Sequence, residues 1–216
     1  MNRSVPSLII AICFITLAAK VSAQQVAWYG GIAAGMGTVD ISTKDWDDGT
    51  LINKQLKNKN FSYKITAGYH FTSHIAGELS YLHFGDSKFN AYESGTVPSI
   101  WLNGNVYGTA LVSGISVTGK LSQSLSKRFS VFASGGTFFW NTTMTSEPTL
   151  SGGTLALSNK QVIHDDGVRF IYGVGADMRV YRQLYMRLEW EHTTVRFAGN
   201  LDRGADFPSL GMTLNF

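Results

Sequence analysis

His192-Thr193-Thr194 follows closely on Glu189 and Glu191, bringing together an imidazole, hydroxyls and carboxylates within six residues. These are the groups of a nucleophile–base–acid hydrolase. Thr194 stands where a serine would be the easier nucleophile, and its extra methyl group crowds the attack. In an alternating segment His192 also shares the face of Leu188 and Trp190, opposite Glu189 and Glu191. An imidazole on an apolar outer face is the simpler reading, so no catalytic residue is expected. His70, His74, His83 and His164 are scattered, without an acid or thiol at metal-ligand spacing. No metal or cofactor is therefore expected. Gly35-Met36-Gly37 and Gly135-Gly136 lack the helix context of a phosphate loop.

The second chemistry is ion pairing. Lys64, Glu78, Lys120, Arg169, Asp177, Arg179, Arg187, Glu189 and Glu191 all fall on one face of alternating segments. Charges sharing an enclosed face must pair, because an isolated buried ion costs several kcal/mol. A tight turn at Tyr181–Gln183 sets Val180 against Leu184 and hence Asp177 against Arg187, with Glu189 and Glu191 directed towards Arg169 or Lys64.

Eight segments must position these residues: 27–40, 60–71, 75–86, 107–123, 129–142, 167–180, 184–196 and 207–216. In the sixth, Val168, Phe170, Tyr172, Val174, Ala176, Met178 and Val180 oppose Arg169, Gly173, Gly175, Asp177 and Arg179, with Ile171 among the latter. Glycines on the charged face fit a curved wall that leaves room for long side chains inside. Three connections are tight (72–74, 124–128, 181–183) and four are long (41–59, 87–106, 144–166, 197–206). Short turns on one side and long loops on the other describe an up-and-down membrane barrel. Trp28, Tyr69, Phe71, Tyr181 and Phe216 would mark the turn-side interface and Tyr81, Phe139 and Trp190 the loop side. Trp46, Tyr92 and Trp101 are bulky residues expected in the long loops.

Met1-Asn2-Arg3, the apolar run from Val5 to Ala19 and Val21-Ser22-Ala23 have the pattern of a cleavable export signal. The expected domains are thus a signal peptide at 1–23 and a barrel at 24–216. The leader contains the only cysteine together with Arg3 and Lys20. Against 18 basic and 15 acidic side chains overall, the mature chain keeps an excess of a single positive charge. That leaves no basic field for nucleic acid. With 23 glycines, 13 Phe, 9 Tyr and 5 Trp, and no mature apolar run able to span as a helix, a membrane form must be a closed barrel.

Trp28-Tyr29-Gly30-Gly31-Ile32, Thr66-Ala67-Gly68-Tyr69, Gly173-Val174-Gly175-Ala176-Asp177, Arg187-Leu188-Glu189-Trp190-Glu191 and the terminal strand through Leu210, Met212, Leu214 and Phe216 give the chain its likeness. It resembles the OmpA-like eight-stranded outer-membrane β-barrel superfamily, which includes small porin-family and Opa-type surface barrels. The resemblance implies an all-β, eight-stranded antiparallel barrel with four long extracellular loops and both termini periplasmic. It implies a monomer that contacts outer-membrane lipids and lipopolysaccharide. The last strand, ending in Phe216, would close the barrel and be read by the barrel assembly machinery. The implied function is non-enzymatic surface interaction, with adhesion or a host ligand at the loops and a structural role in the envelope. Some barrels of this size act on lipid A through a Ser-His-acid site, so a lipid-modifying enzyme at His192 is the alternative, followed by a narrow solute channel.

Overall fold

Alternation with period two separates an apolar outer face from a mixed inner one, and pairing around a ring satisfies every spanning backbone group. The computed structural model describes residues 28–42, 51–93, 104–150, 161–197 and 201–216. The expected signal segment, Trp46 and Trp101 lie outside them. The described residues form nine strands: β1 (Trp28–Val39), β2 (Leu51–Lys57), β3 (Lys59–His70), β4 (Ile75–Glu93), β5 (Gly104–Ser124), β6 (Phe129–Leu150), β7 (Gln161–Tyr181), β8 (Leu184–Phe197) and β9 (Leu201–Asn215). All pairings are antiparallel. Only Asn58 separates β2 from β3, and both pair with β4, so they occupy one wall position. The ring is a closed, eight-stranded barrel, and β1 against β9 is the seam, with Tyr29 opposite Asn215 and Ala34 opposite Leu210.

Several strands outrun their expected ends. β4, β5, β6 and β7 have 19, 21, 22 and 21 residues, and their ladders continue well beyond the apolar stripe. Backbone pairing needs no apolar residue, and a run such as Thr142-Thr143-Met144-Thr145 suits a strand as well as a loop. Tyr92 accordingly belongs to β4, where it is half-buried, and not to a loop.

Local irregularities have identifiable causes. Phe84 and Gly85 form a bulge in β4 at which the inward set changes from even to odd numbers. Gly85 has φ +77°, and a Cβ there would lie 2.5 Å from the Phe61 carbonyl oxygen. The β1–β9 ladder skips Met36 and Gly37, opposite the stretch where Pro208 has no N–H to donate. The Gly37 N–H donates instead to Ser62 Oγ at 2.9 Å. The last tight turn is one residue shorter than expected: Tyr181 pairs with Leu184, and a bulge between Arg179 and Tyr181 restores Asp177 to a position opposite Arg187.

At the loop end the wall divides. β7–β8 pairing stops at Ile171–Thr193, whereas β6–β7 pairing runs on to Ser146–Gln161 and β8–β9 pairing to Phe197–Leu201. The tip of β8 reaches past β7 to β6, with Thr142 Oγ1 donating to the Arg196 carbonyl at 3.1 Å. The outer surface carries an apolar belt that includes Ile32, Ile65, Leu79, Val117, Phe170, Val174, Leu188 and Met212, all exposed. Trp28, Tyr69 and Phe71 make edge contacts at its turn side. Tyr63 stacks on His83 at its loop side, where Tyr172, Trp190 and His192 cluster.

Candidate functional site: the lumen and its two mouths

The lumen is built in storeys. Nearest the turns, Arg187 from β8 donates to both oxygens of Asp177 on β7 (Nε–Oδ1 2.8 Å, Nη2–Oδ2 3.2 Å) and to Glu78 Oε1 on β4 at 2.8 Å. Tyr29 donates its hydroxyl to the same Glu78 oxygen at 2.6 Å. Lys120 on β5 lies 3.1 Å from Asp177 and 3.5 Å from Glu78. Both cations sit over the Phe132 ring, at 4.7 Å for Lys120 and 4.8 Å for Arg187. Space for the rings comes from glycines opposite them. A Cβ on Gly68 would strike the Tyr29 ring at 2.1 Å, and one on Gly175 the Phe132 ring at 2.5 Å.

One storey higher, Lys64 on β3 bonds Glu189 and, at 2.8 Å, Glu191. These buried groups comprise Lys64, Lys120 and Arg187 against Glu78, Asp177, Glu189 and Glu191, an excess of one carboxylate. Glu189 Oε1 has no hydrogen-bond partner. Above this storey the chemistry changes abruptly. Leu82, Phe84, Phe138, Ile171, Val195 and Phe207 are buried across the lumen, with Phe84 6.0 Å from both Phe138 and Phe207. The apolar filling continues through Phe89, Ala91, Val106, Ala110 and Met144 into the long-strand region.

Two residues of the expected interior set lie elsewhere. Arg169 has inward parity but sits where β7 and β8 have parted, and its side chain, 31% exposed, reaches Asp202 at 2.9 Å. Arg179 is exposed at the turn-side mouth and donates to the Lys127 carbonyl. Tyr29 and Phe132, absent from the expected interior set, are the aromatic members of the charged storey; a glycine facing each across the ladder is the signal that marks them. Leu210, Met212 and Leu214 face outward on β9 beside the seam, and the Phe216 N–H donates to the Trp28 carbonyl at 2.8 Å.

The two mouths differ. At the turn side the lumen opens into a cavity of about 510 Å³ with a mainly polar lining whose charged members are basic except for Asp177. At the loop side, Arg196 from β8 grips Asp202 through Nε and Nη2 at 2.9 and 3.2 Å. Hydrogen bonds from Arg196 and Arg169 hold the exposed Asp202 carboxyl down to about 2. On the outer wall, His192 Nδ1 lies 3.0 Å from Asp206 Oδ1, while Thr194 is exposed.

The model of the OmpA-like transmembrane domain matches residues 23–206. No curated protein sequence matches. Among solved structures, the chain is similar to Ail, the attachment invasion locus protein of Yersinia pestis, in complex with the heparin analogue sucrose octasulfate. The TM-score is 0.51 at 11% identity, covering 89% of this chain and 100% of that one. Neisserial surface protein A gives the same TM-score of 0.51 and 11% identity, over 89% of this chain and 100% of its own. A match over this much of the sequence and a closed eight-stranded ring lead to one assignment: the chain belongs to the OmpA-like transmembrane domain family of outer-membrane β-barrels.

Proposed function

We propose that this outer-membrane barrel is a sealed, non-enzymatic anchor whose loop-side end is a contact surface for an adhesion, host or envelope partner. The observation that carries this reading is strand length. A membrane crossing takes about 9–11 residues, and β4 to β7 run to 19–22. Their projecting part has its own packed interior of Phe89, Ala91, Val106 and Ala110, so it is a firm platform. On its outer face Lys57 stands directly opposite Lys88, with Lys59 two residues along, all exposed. Like charges directly opposite repel, and an anionic partner would relieve the repulsion. Ail was crystallised with a heparin analogue, which makes a sulfated glycan the first probe. Folded protein is expected to be retained on immobilised heparin and released by salt. A Lys57→Gln/Lys88→Gln variant eluting at the same salt concentration would remove the reading.

The remaining arrangement belongs to the same proposal. Residues 1–23 are removed as a signal, leaving 24–216 as the barrel domain, with turns and both termini in the periplasm. The barrel is a monomer among outer-membrane lipids and lipopolysaccharide. Leu210, Met212, Leu214 and Phe216 form the strand that the barrel assembly machinery reads. Lys64, Glu78, Lys120, Asp177, Arg187, Glu189 and Glu191 brace the lumen, and no cofactor takes part.

A second reading, lipid modification, is favoured by one contact. The 3.0 Å approach of His192 Nδ1 to Asp206 would orient the imidazole and leave Nε2 free to act as a base. A mass shift in lipid A on expression, lost in His192→Ala, would establish it in place of the non-enzymatic reading.

A further inference from the structure

We propose that the turn-side mouth is a binding site for a small phosphate-class oxyanion, free or carried on a soluble phosphomonoester. The cavity of about 510 Å³ is blind. Its inner wall is the Tyr29–Lys120–Asp177–Arg187 storey; the Lys64–Glu189–Glu191 storey lies above that, and the apolar filling occupies the lumen above both. A ligand therefore enters and leaves by the same mouth.

Its charge is one-sided. Lys120, Lys127, Arg128, Arg179 and Arg187 line it against a single carboxylate, Asp177. Asp177 is already committed to Arg187 and Lys120. Among the described residues no carboxylate pairs with Lys127, Arg128 or Arg179, so the rim keeps three uncompensated cations. Ser122, Ser124, Ser126 and Ser130 supply hydroxyls between the rim and the inner wall, and His70 adds an imidazole. The wall outside is apolar, with Leu121, Leu125 and Tyr181 exposed on it. A one-sign cleft with low-dielectric walls focuses its field on the mouth. Guanidinium, ammonium and hydroxyl donors together suit a tetrahedral oxyanion, which offers acceptors in several directions.

Arg179 braces the turn through the Lys127 carbonyl, but the side chains of Lys127 and Arg128 are not needed to hold it. The Leu125 and Ser126 N–H groups bond the Phe129 carbonyl at 2.9 and 3.0 Å, and Ser126 Oγ accepts from the Arg128 and Phe129 N–H groups. The Lys127 and Arg128 side chains take no part in that framework, which makes them clean sites for substitution.

The test uses the folded barrel in octyl glucoside, a detergent without phosphate, with heat-modifiable gel migration checking that every variant is folded. Inorganic phosphate and glycerol 3-phosphate are titrated separately, against chloride at equal ionic strength, and amide NMR shifts are followed. Saturable shifts are expected in Ser122–Ser130, in the neighbouring Arg179–Tyr185 turn and at the inner wall around Lys120 and Arg187, with none at the loop-side mouth. Response to inorganic phosphate alone assigns the free ion; response to both admits the phosphomonoester. A Lys127→Gln/Arg128→Gln variant should bind about tenfold more weakly or worse, the scale of one lost charged hydrogen bond, while Arg196→Gln at the other mouth binds as the parent does. Shifts that never saturate, that chloride reproduces, or that survive unchanged in the double variant would overturn the site.

Discussion

The two halves of the lumen fill the same narrow cross-section by opposite means. Near the turns, four strands contribute Glu78, Lys120, Asp177 and Arg187, every member bonded to at least two others. Near the loops, Phe84, Phe138 and Phe207 close the space without a polar atom. Specificity resides in the charged half and close packing in the apolar one. Ion pairs are directional and punish a slipped register, because a one-residue slip turns every side chain to the other face. Apolar packing is less selective, but it excludes water and continues without a break into the projecting strands.

The largest effect is expected at the most heavily bonded residue of the charged half. Arg187→Ala leaves Glu78 and Asp177 with Lys120 as their remaining basic partner and should cost about 4 kcal/mol, the range for breaking a buried pair. Urea unfolding in vesicles measures it, and a loss below about 1 kcal/mol would mean that the charged half is not a unit. In the apolar half, Phe138→Ala should cost about 3 kcal/mol as a cavity. That loss should add to a charged-half substitution only if the storeys are independent. A third change sharpens the contrast within the charges. Glu191→Gln leaves Lys64 still bonded to Glu189 and removes the excess carboxylate, so its effect should stay within about 1 kcal/mol in either direction. The smallest effect lies at the outer rim. Asp202 is held below the usual carboxylate value, so its pairing is complete above about pH 4 and is lost as pH falls through about 2. Amide exchange of Arg196, Phe197, Asp202 and Arg203 should accelerate over that interval, and Asp202→Asn should abolish the pH dependence.

Much of this contrast was legible in the chain, for reasons that can be named. Period-two alternation and short turns locate the strands, and turn spacing puts Asp177 opposite Arg187, although the turn itself is shorter and a bulge makes up the residue. Ile171, an apolar residue on the charged face, was the visible trace of the upper storey. Leu82, Phe84, Phe138, Val195 and Phe207 keep the inward parity of their strands, but the bulge at Phe84-Gly85 reverses that parity further along β4, so Phe89 and Ala91 face inward against the pattern of the preceding residues. Arg169 was misplaced because parity describes a continuous wall, and the wall parts above Ile171. Arg179 has inward parity too, but it sits at the mouth, where the lumen meets solvent. Strand ends beyond the membrane were not legible, since hydrogen bonding alone extends them and Thr-rich sequence suits strand and loop alike.

A lumen filled in this way is sealed to ions, and conductance of the folded barrel in planar lipid bilayers measures that property. The parent protein, with its charged storey backed by Phe84, Phe138 and Phe207, is expected to give no single-channel steps. Reproducible steps from protein verified as folded would contradict the seal and make this barrel a channel.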